Sequence, residues 1–213
     1  PTATLLPTDT PEPTEKATKT PPTGTPTLVP TQTAMPEPTD EPKTDPVPIG
    51  MEVQNYVDHA EELTGLGPFH LYGWAAGARE GDFIQKVEQL GSVSSPDVTK
   101  KVLMFSSYET LSEKLDAGEG TPYRSEDLKA LGIEGVFYNS ERGLTPPEEM
   151  EHLLSGDPEE NSVAIFVRIA KRHGFEAGWG PIAFTAYTAP ESALDVMFGA
   201  GLDRIGIQEQ KMI

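Results

Sequence analysis

From residue 69 to residue 208, five short apolar runs alternate strictly with stretches of helical periodicity. Neighbouring parallel strands need a crossover segment between them, and that segment is usually a helix, so this order predicts an α/β fold with a parallel sheet. The predicted strands are 69–73, 101–106, 134–139, 175–180 and 204–208, and the predicted helices are 80–90, 108–116 with 125–131, 158–173 and 190–200. The spacing of Val53, Tyr56, Val57 and Ala60 predicts one more helix before them, over 51–64.

Polar and aromatic residues collect at the carboxyl end of each predicted strand, which is where (β/α) barrels build their sites. This favours a barrel over a doubly wound sheet. A complete barrel of this type has about eight strands and about 250 residues, whereas five strands are predicted here and the sequence stops at Ile213, where a further βα loop is expected. The sequence therefore predicts a partial (β/α)8 TIM-type barrel over residues 49–213, truncated at its carboxyl end.

The first 48 residues have a different composition. They hold 13 of the 21 prolines and 14 threonines, and they contain no aromatic residue. Such a segment cannot bury enough apolar surface to offset the entropy of ordering, so residues 1–48 are predicted to be a disordered linker or stalk. Thr/Pro tracts are typical of O-glycosylated stalks, and an unglycosylated linker is the alternative.

Both interpretations of the tract place the protein outside the cytoplasm, at the cell surface or in the extracellular space. The sequence begins inside the tract at Pro1 and has no stretch near the ~20 apolar residues of a membrane span. A signal, or a lipid or cell-wall anchor, is therefore expected upstream.

The formal net charge is −18, and the residues after the tract contribute −14 of it. An acidic field disfavours binding to nucleic acid or anionic membrane, but it does not affect a neutral ligand such as a carbohydrate. The chain has no cysteine, and its four histidines lack the spacing of a metal site. No metal or cofactor is therefore expected.

The run 134–149, EGVFYNSERGLTPPEE, contains the leading catalytic candidate. Strand alternation puts Phe137, Asn139 and Glu141 on one side, and Asn139 is too polar to face the apolar helix layer. Glu141 is therefore expected to point into the barrel mouth. With a second carboxylate nearby it could act as a general acid or nucleophile in glycoside hydrolysis; the alternative is a plain ion pair with an arginine.

Other predicted site residues also follow strands. Trp74 and Trp179, the two tryptophans of the chain, could stack on sugar rings or pack in the core. In the last predicted strand, alternation turns Gln208 and Gln210 inward and Glu209 outward, so Glu209 serves as second carboxylate only if the strand ends at Gln208. The acidic residues Glu148, Glu149 and Glu151 are expected to form a solvated face at a helix start.

The runs YNSERGLTPPEE, AKRHGFEAGWGP and RIGIQEQ, taken with the layout of residues 68–213, resemble uncharacterised secreted bacterial (β/α)-barrel proteins similar to glycoside hydrolases. Here the order is Asn139-Ser140-Glu141, where retaining barrels often carry Asn-Glu-Pro.

The resemblance implies a surface-tethered, carbohydrate-active protein. In this interpretation Glu141 is acid/base or ligand anchor, Tyr138, Asn139, Gln208 and Gln210 bind hydroxyl groups, and a tryptophan stacks on the sugar. A non-catalytic barrel that binds glycan or cell-wall polymer and a structural surface protein are the alternatives.

Overall fold

The structure, a computed structural model, describes residues 48–75, 80–116, 123–181 and 183–206. Within these ranges the chain forms six strands and nine helices. The strands are β1 Ile49–Glu52, β2 Phe69–Trp74, β3 Val98–Phe105, β4 Ile133–Tyr138, β5 Glu176–Trp179 and β6 Arg204–Ile205. The helices are α1 Val53–Asp58, α2 Ala60–Leu63, α3 Glu80–Ser92, α4 Tyr108–Leu115, α5 Ser125–Ala130, α6 Pro147–Glu151, α7 Ser162–Arg172, α8 Ala183–Thr188 and α9 Glu191–Gly199.

All six strands pair in parallel, and their order in the sheet is their order in the chain. The sheet curls into a half-barrel. Sequential parallel strands are a property of (β/α) barrels, whereas a doubly wound sheet reverses its strand order partway. The predicted α/β class with a parallel, barrel-like sheet is confirmed.

The amino-terminal part of the sheet differs from the prediction. The segment predicted as one helix over 51–64 begins with the last two residues of β1, and the helical part is divided into α1 and α2. Glu52 ends the strand and caps α1, because its Oε2 accepts hydrogen bonds from the backbone N–H groups of Gln54 at 2.6 Å and Asn55 at 3.3 Å. The sheet thus has a first strand, β1, that the sequence analysis did not predict, because the residues that follow it have helical spacing.

The outer face of the sheet packs against the helices. In β2 the residues Phe69, Leu71 and Gly73 are buried while those between them are partly exposed, which is the alternation of a strand with one covered face. Helix α7 contributes Val163, Phe166, Val167 and Ala170 to the same core. Its start is fixed by Asn161, whose Oδ1 accepts a hydrogen bond from the N–H of Ala164 at 2.9 Å.

The inner face of the sheet depends on glycines. The ring of Phe137 on β4 lies where side chains of β5 and β6 would otherwise stand: a Cβ at Gly178 would meet it at 2.0 Å and one at Gly206 at 3.0 Å. On the other side, a Cβ at Gly50 would lie 3.0 Å from the Tyr72 ring. Large aromatic groups and missing side chains therefore alternate around the concave side.

Among the described residues, no helix combines the length and the apolar character needed to cross a membrane.

The close approach of Phe137 to Gly178 predicts a stability effect. We expect Gly178→Ala to lower the free energy of unfolding by about 1–3 kcal/mol, because the added methyl group forces the buried ring or the strand to move. The control is Gly199→Ala at the end of α9, where a Cβ meets nothing within 4 Å. Alanine there should be neutral or stabilising by at most about 1 kcal/mol. Urea unfolding of both variants measures the difference, and equal free energies would contradict this packing.

Candidate functional site

A concave cavity of about 460 Å³ opens on the inner face of the sheet toward the carboxyl ends of the strands. Its walls are mostly apolar and aromatic, and glycines provide much of the remaining lining. The residues around it are Tyr72, Trp74, Met104, Phe137, Gly50, Met51, Glu52, Gly180 and Gly206.

Register explains how these side chains come together. In the parallel pairing Trp74 stands beside Met104, and Met104 stands beside Phe137, so the three lie in one row across β2, β3 and β4. Tyr72 meets the Phe137 ring edge-on, with 5.5 Å between ring centroids and an interplanar angle of 77°. Trp74 is half-buried, so part of its indole is exposed on the concave side.

A charged layer lies one step nearer the amino ends of the same inner face. Glu176 on β5 forms ion pairs with Lys100 on β3 and with Arg204 on β6, whose Nη2 lies 3.0 Å from Glu176 Oε2. The other terminal nitrogen of Arg204, Nη1, lies 3.1 Å from Nδ1 of His70. Four strands are thereby joined across the concave side by polar contacts.

This layer shifts two pKa values in directions that burial and charge explain. The pKa of His70 is lowered by burial and by the positive charges of Arg204 and Lys100, against a smaller opposing effect of Glu176. The pKa of the Tyr72 phenol is raised by burial, and the adjacent Arg204 offsets part of that rise. Arg204 therefore contacts both the charged layer and a wall of the cavity.

The loop after β4 holds the predicted catalytic candidate. Glu141 is half-buried, and its carbonyl oxygen accepts hydrogen bonds from the N–H groups of Leu144 at 3.2 Å and Thr145 at 3.0 Å, which closes a tight turn. Asn139 is fully buried, and its N–H donates to the carbonyl of Phe105 at 2.7 Å, which extends the β3–β4 pairing. Both residues follow Phe137, the cavity wall on β4.

Glu149 does not belong to a solvated face, contrary to the expectation for the acidic run. It is 1% exposed, and its carboxylate accepts hydrogen bonds from Ser107 Oγ at 2.6 Å, Tyr108 N–H at 3.1 Å and Tyr138 Oη at 2.8 Å. Its neighbour Glu148 is exposed, so this part of the prediction is met. A short helix that starts at Pro147 has one inward side, and Glu149 lies on it.

Tyr138 was predicted to bind a ligand hydroxyl, and the structure places it elsewhere. Its side chain lies on the outer face, fully buried and bonded to Glu149. Burial and the Glu149 charge raise the pKa of its phenol well above the usual range. Tyr138 therefore supports the β4 loop from behind.

Trp179 also faces the helix layer. It is 0% exposed, and its indole N–H donates to Ser140 Oγ at 2.9 Å. Trp179 therefore packs in the core, which was the alternative interpretation, and does not form a stacking platform. Strand alternation turns its side chain away from the concave face on which Gly178 and Gly180 lie. Ser140 precedes Glu141, so Trp179 holds the loop that carries the catalytic candidate.

The remaining predicted site residues, Gln208, Glu209 and Gln210, lie outside the described residues. Of the others, the structure places Trp74 in the cavity wall and Asn139 and Glu141 just beyond Phe137. The sequence prediction put Phe137 on the inward side of its strand, as the structure does, but it did not identify Met104 or Arg204 as inner-face residues. The two-residue alternation in KVLMFS was the signal that could have identified Met104.

Within the described ranges, no group of three or more His, Asp or Glu side chains is arranged to hold a metal ion. Comparison of the chain with protein-family models, with curated proteins and with solved structures finds no match.

The hydrogen bonds of the buried Glu149 carboxylate predict a stability effect. We expect Glu149→Gln to lower the free energy of unfolding by about 1–3 kcal/mol, because the amide replaces one acceptor oxygen with a donor among groups that all donate. Glu148→Gln on the same helix is the matched control and should stay within about 0.5 kcal/mol, as expected for an exposed site. Chemical denaturation of both variants measures the difference. An unfolding free energy of Glu149→Gln equal to that of the wild type would contradict the hydrogen-bond network.

His70 predicts a pH dependence. Since its pKa is lower in the folded chain than the ordinary value of 6.5, the unfolded chain binds more protons just below pH 6.5. The contribution of His70 to stability is therefore complete above about pH 6.5 and is lost as pH falls through the lowered pKa. We expect His70→Gln, but not the exposed His59→Gln, to flatten the acid limb of a plot of unfolding free energy against pH. Parallel curves for wild type and His70→Gln would disprove it.

Proposed function

We propose that this protein is exported, tethered at the cell surface, and binds a carbohydrate in the concave cavity of its barrel-like sheet. The observation that carries the proposal is the cavity of about 460 Å³ in which a half-buried Trp74 stands among other aromatic walls. Ligand sites of small molecules are typically concave, largely apolar and about 300–1,000 Å³ in volume. The sequential parallel strands support a further part of the proposal, that the sheet belongs to a (β/α)8 barrel.

The lining favours a sugar ring over a highly charged ligand. Aromatic faces pack against the C–H face of a pyranose, and Trp74 and Tyr72 present such faces on one strand. A few polar groups suffice to orient a ligand in such a pocket. The Tyr72 hydroxyl is one polar group of the lining.

The Thr/Pro tract supports the location. A chain with 13 prolines in its first 48 residues has the composition of an extended spacer, with a reach of roughly 3 Å per residue. A spacer of this kind would hold the cavity away from a cell envelope and toward polymers outside it.

Catalysis by Glu141 is the second candidate. One observation favours it: Glu141 is half-buried in the turn directly after β4, whose Phe137 lines the cavity. Glycoside hydrolysis requires a second carboxylate, at about 5–5.5 Å for retention or about 6.5–9.5 Å for inversion. A structural surface protein is a third possibility, but it would not need a cavity of this kind.

Calorimetric titration of the full chain with neutral cello-, xylo- and chito-oligosaccharides tests the proposal. We expect at least one series to bind, and Trp74→Ala to weaken that binding at least tenfold, about 1.4 kcal/mol. Phe198→Ala is the control, because Phe198 is an exposed aromatic residue on α9 that does not line the cavity. Equal affinities for the Trp74 variant and wild type would contradict the proposed site.

The same samples decide between binding and catalysis. If wild type releases reducing ends and Glu141→Gln stops the release without changing the dissociation constant, the protein is a glycosidase. If wild type binds without any release, it is a binding protein.

A further inference from the structure

The charged layer beneath the cavity holds more positive than negative charge. Two permanent cations, Lys100 and Arg204, face one carboxylate, Glu176. The side chains are partly accessible, with 13%, 29% and 42% of their surfaces exposed for Lys100, Arg204 and Glu176. Two cations on a concave face that share one carboxylate can still donate hydrogen bonds to a second anion.

His70 does not change this charge balance, because its contact with Arg204 determines that its ring is neutral and which nitrogen carries the proton. An arginine can only donate, so the contact between Arg204 Nη1 and His70 Nδ1 requires Nδ1 to be the acceptor. The ring is then neutral with its proton on Nε2. The lowered pKa of His70 agrees with this form, and the layer therefore carries a surplus of one positive charge.

The layer is connected to the cavity through Tyr72. Tyr72 lines the cavity, lies beside Arg204 and stands two residues beyond His70 on the same face of β2. A ligand that packs on the ring of Tyr72 thus has the Arg204 guanidinium close to its inner edge. Directly after β6, Gly206 stands two residues beyond Arg204 and offers no side chain to block the approach.

The surplus is local in a chain of net charge −18. At physiological ionic strength the Debye length is about 8 Å, so distant carboxylates act weakly on a group held within hydrogen-bond distance of Arg204. An acidic ligand would therefore be repelled slightly on approach and held firmly in contact. The carboxylate of Glu52 also lines the cavity, but its charge is matched by the ion pair with Lys86 at 2.8 Å. The surplus is therefore one charge, which matches a ligand with one carboxylate better than a dianionic phosphate.

We propose that the cavity selects an acidic sugar, a uronate whose ring packs on Trp74 and Tyr72 and whose carboxylate binds Arg204. This inference rests on the proposed carbohydrate site and adds its substrate class. A planar guanidinium can bind a carboxylate through two parallel hydrogen bonds, which fixes the orientation of the ring as well as its charge.

The test compares each acid with its own methyl ester, which keeps the ring and removes the charge. Oligomers of glucuronate and of galacturonate, each beside its ester, are titrated calorimetrically into the full chain at about 0.15 M and at about 0.5 M NaCl, where the Debye length is about 8 Å and roughly 4 Å. We expect one acid to bind at least tenfold tighter than its ester at the lower salt concentration, with a smaller difference at the higher one.

Two variants of the layer should move this preference in opposite directions. Arg204→Gln should abolish it, so that the acid binds no tighter than its ester, and the Lys100–Glu176 ion pair does not involve Arg204. Glu176→Gln removes the competing carboxylate and should increase the preference. Arg168→Gln, at a partly exposed arginine of α7, is the matched control and should change neither affinity.

The outcomes separate the two proposals. Equal binding of acid and ester by wild type, a preference that survives in Arg204→Gln, or a preference that is lost in Glu176→Gln overturns the acidic-sugar inference and leaves the carbohydrate site standing. A sugar phosphate that competes more strongly than any uronate also overturns it. If no acid, ester or neutral oligosaccharide binds, the carbohydrate site itself is wrong, and the inference fails with it.

Discussion

Parallel pairing between sequential strands is the constraint on which the rest of this structure depends. Because every strand runs in the same direction, each crossing returns through helices on the outer side, and alternate side chains are divided between a covered face and a concave face. The covered face collects the core, including Leu71, Leu103 and Val136. The concave face receives what remains, which is an aromatic row, several glycines and a layer of ion pairs. The cavity is thus a product of the topology combined with small residues on β1, β5 and β6.

Much of the fold could be predicted from periodicity alone. Four of the strands between residues 69 and 208 stand within about three residues of their predicted ends, and the described part of the fifth begins at Arg204 as predicted. The first strand could not be found, since β1 has only four residues and its last two run directly into the helical spacing of α1. The six-residue α8, whose sequence is AFTAYT, buries no residue and therefore lacks the apolar stripe by which helices are recognised.

The site was less predictable than the fold, because it depends on which way each side chain turns. Trp74 and Trp179 both lie at the carboxyl end of a strand, yet Trp74 faces the cavity and Trp179 faces the core. Only the register across neighbouring strands distinguishes them. Glu149 shows a second limit. Its buried carboxylate is satisfied by donors at the start of α4 and at the end of β4 that sequence spacing does not reveal. Arg204 likewise acquires its role from contacts with two other strands, β2 and β5.

The two tryptophans occupy such different surroundings that they constitute a built-in pair of optical reporters. Trp179 is sealed in the core and bonded to Ser140, so its fluorescence follows the integrity of the sheet and of the β4 loop. Trp74 is partly open to solvent in the cavity wall, and a soluble quencher reaches it while the chain is folded. Replacing either with phenylalanine isolates the other signal. Unfolding and cavity occupancy can then be followed separately in one unlabelled protein.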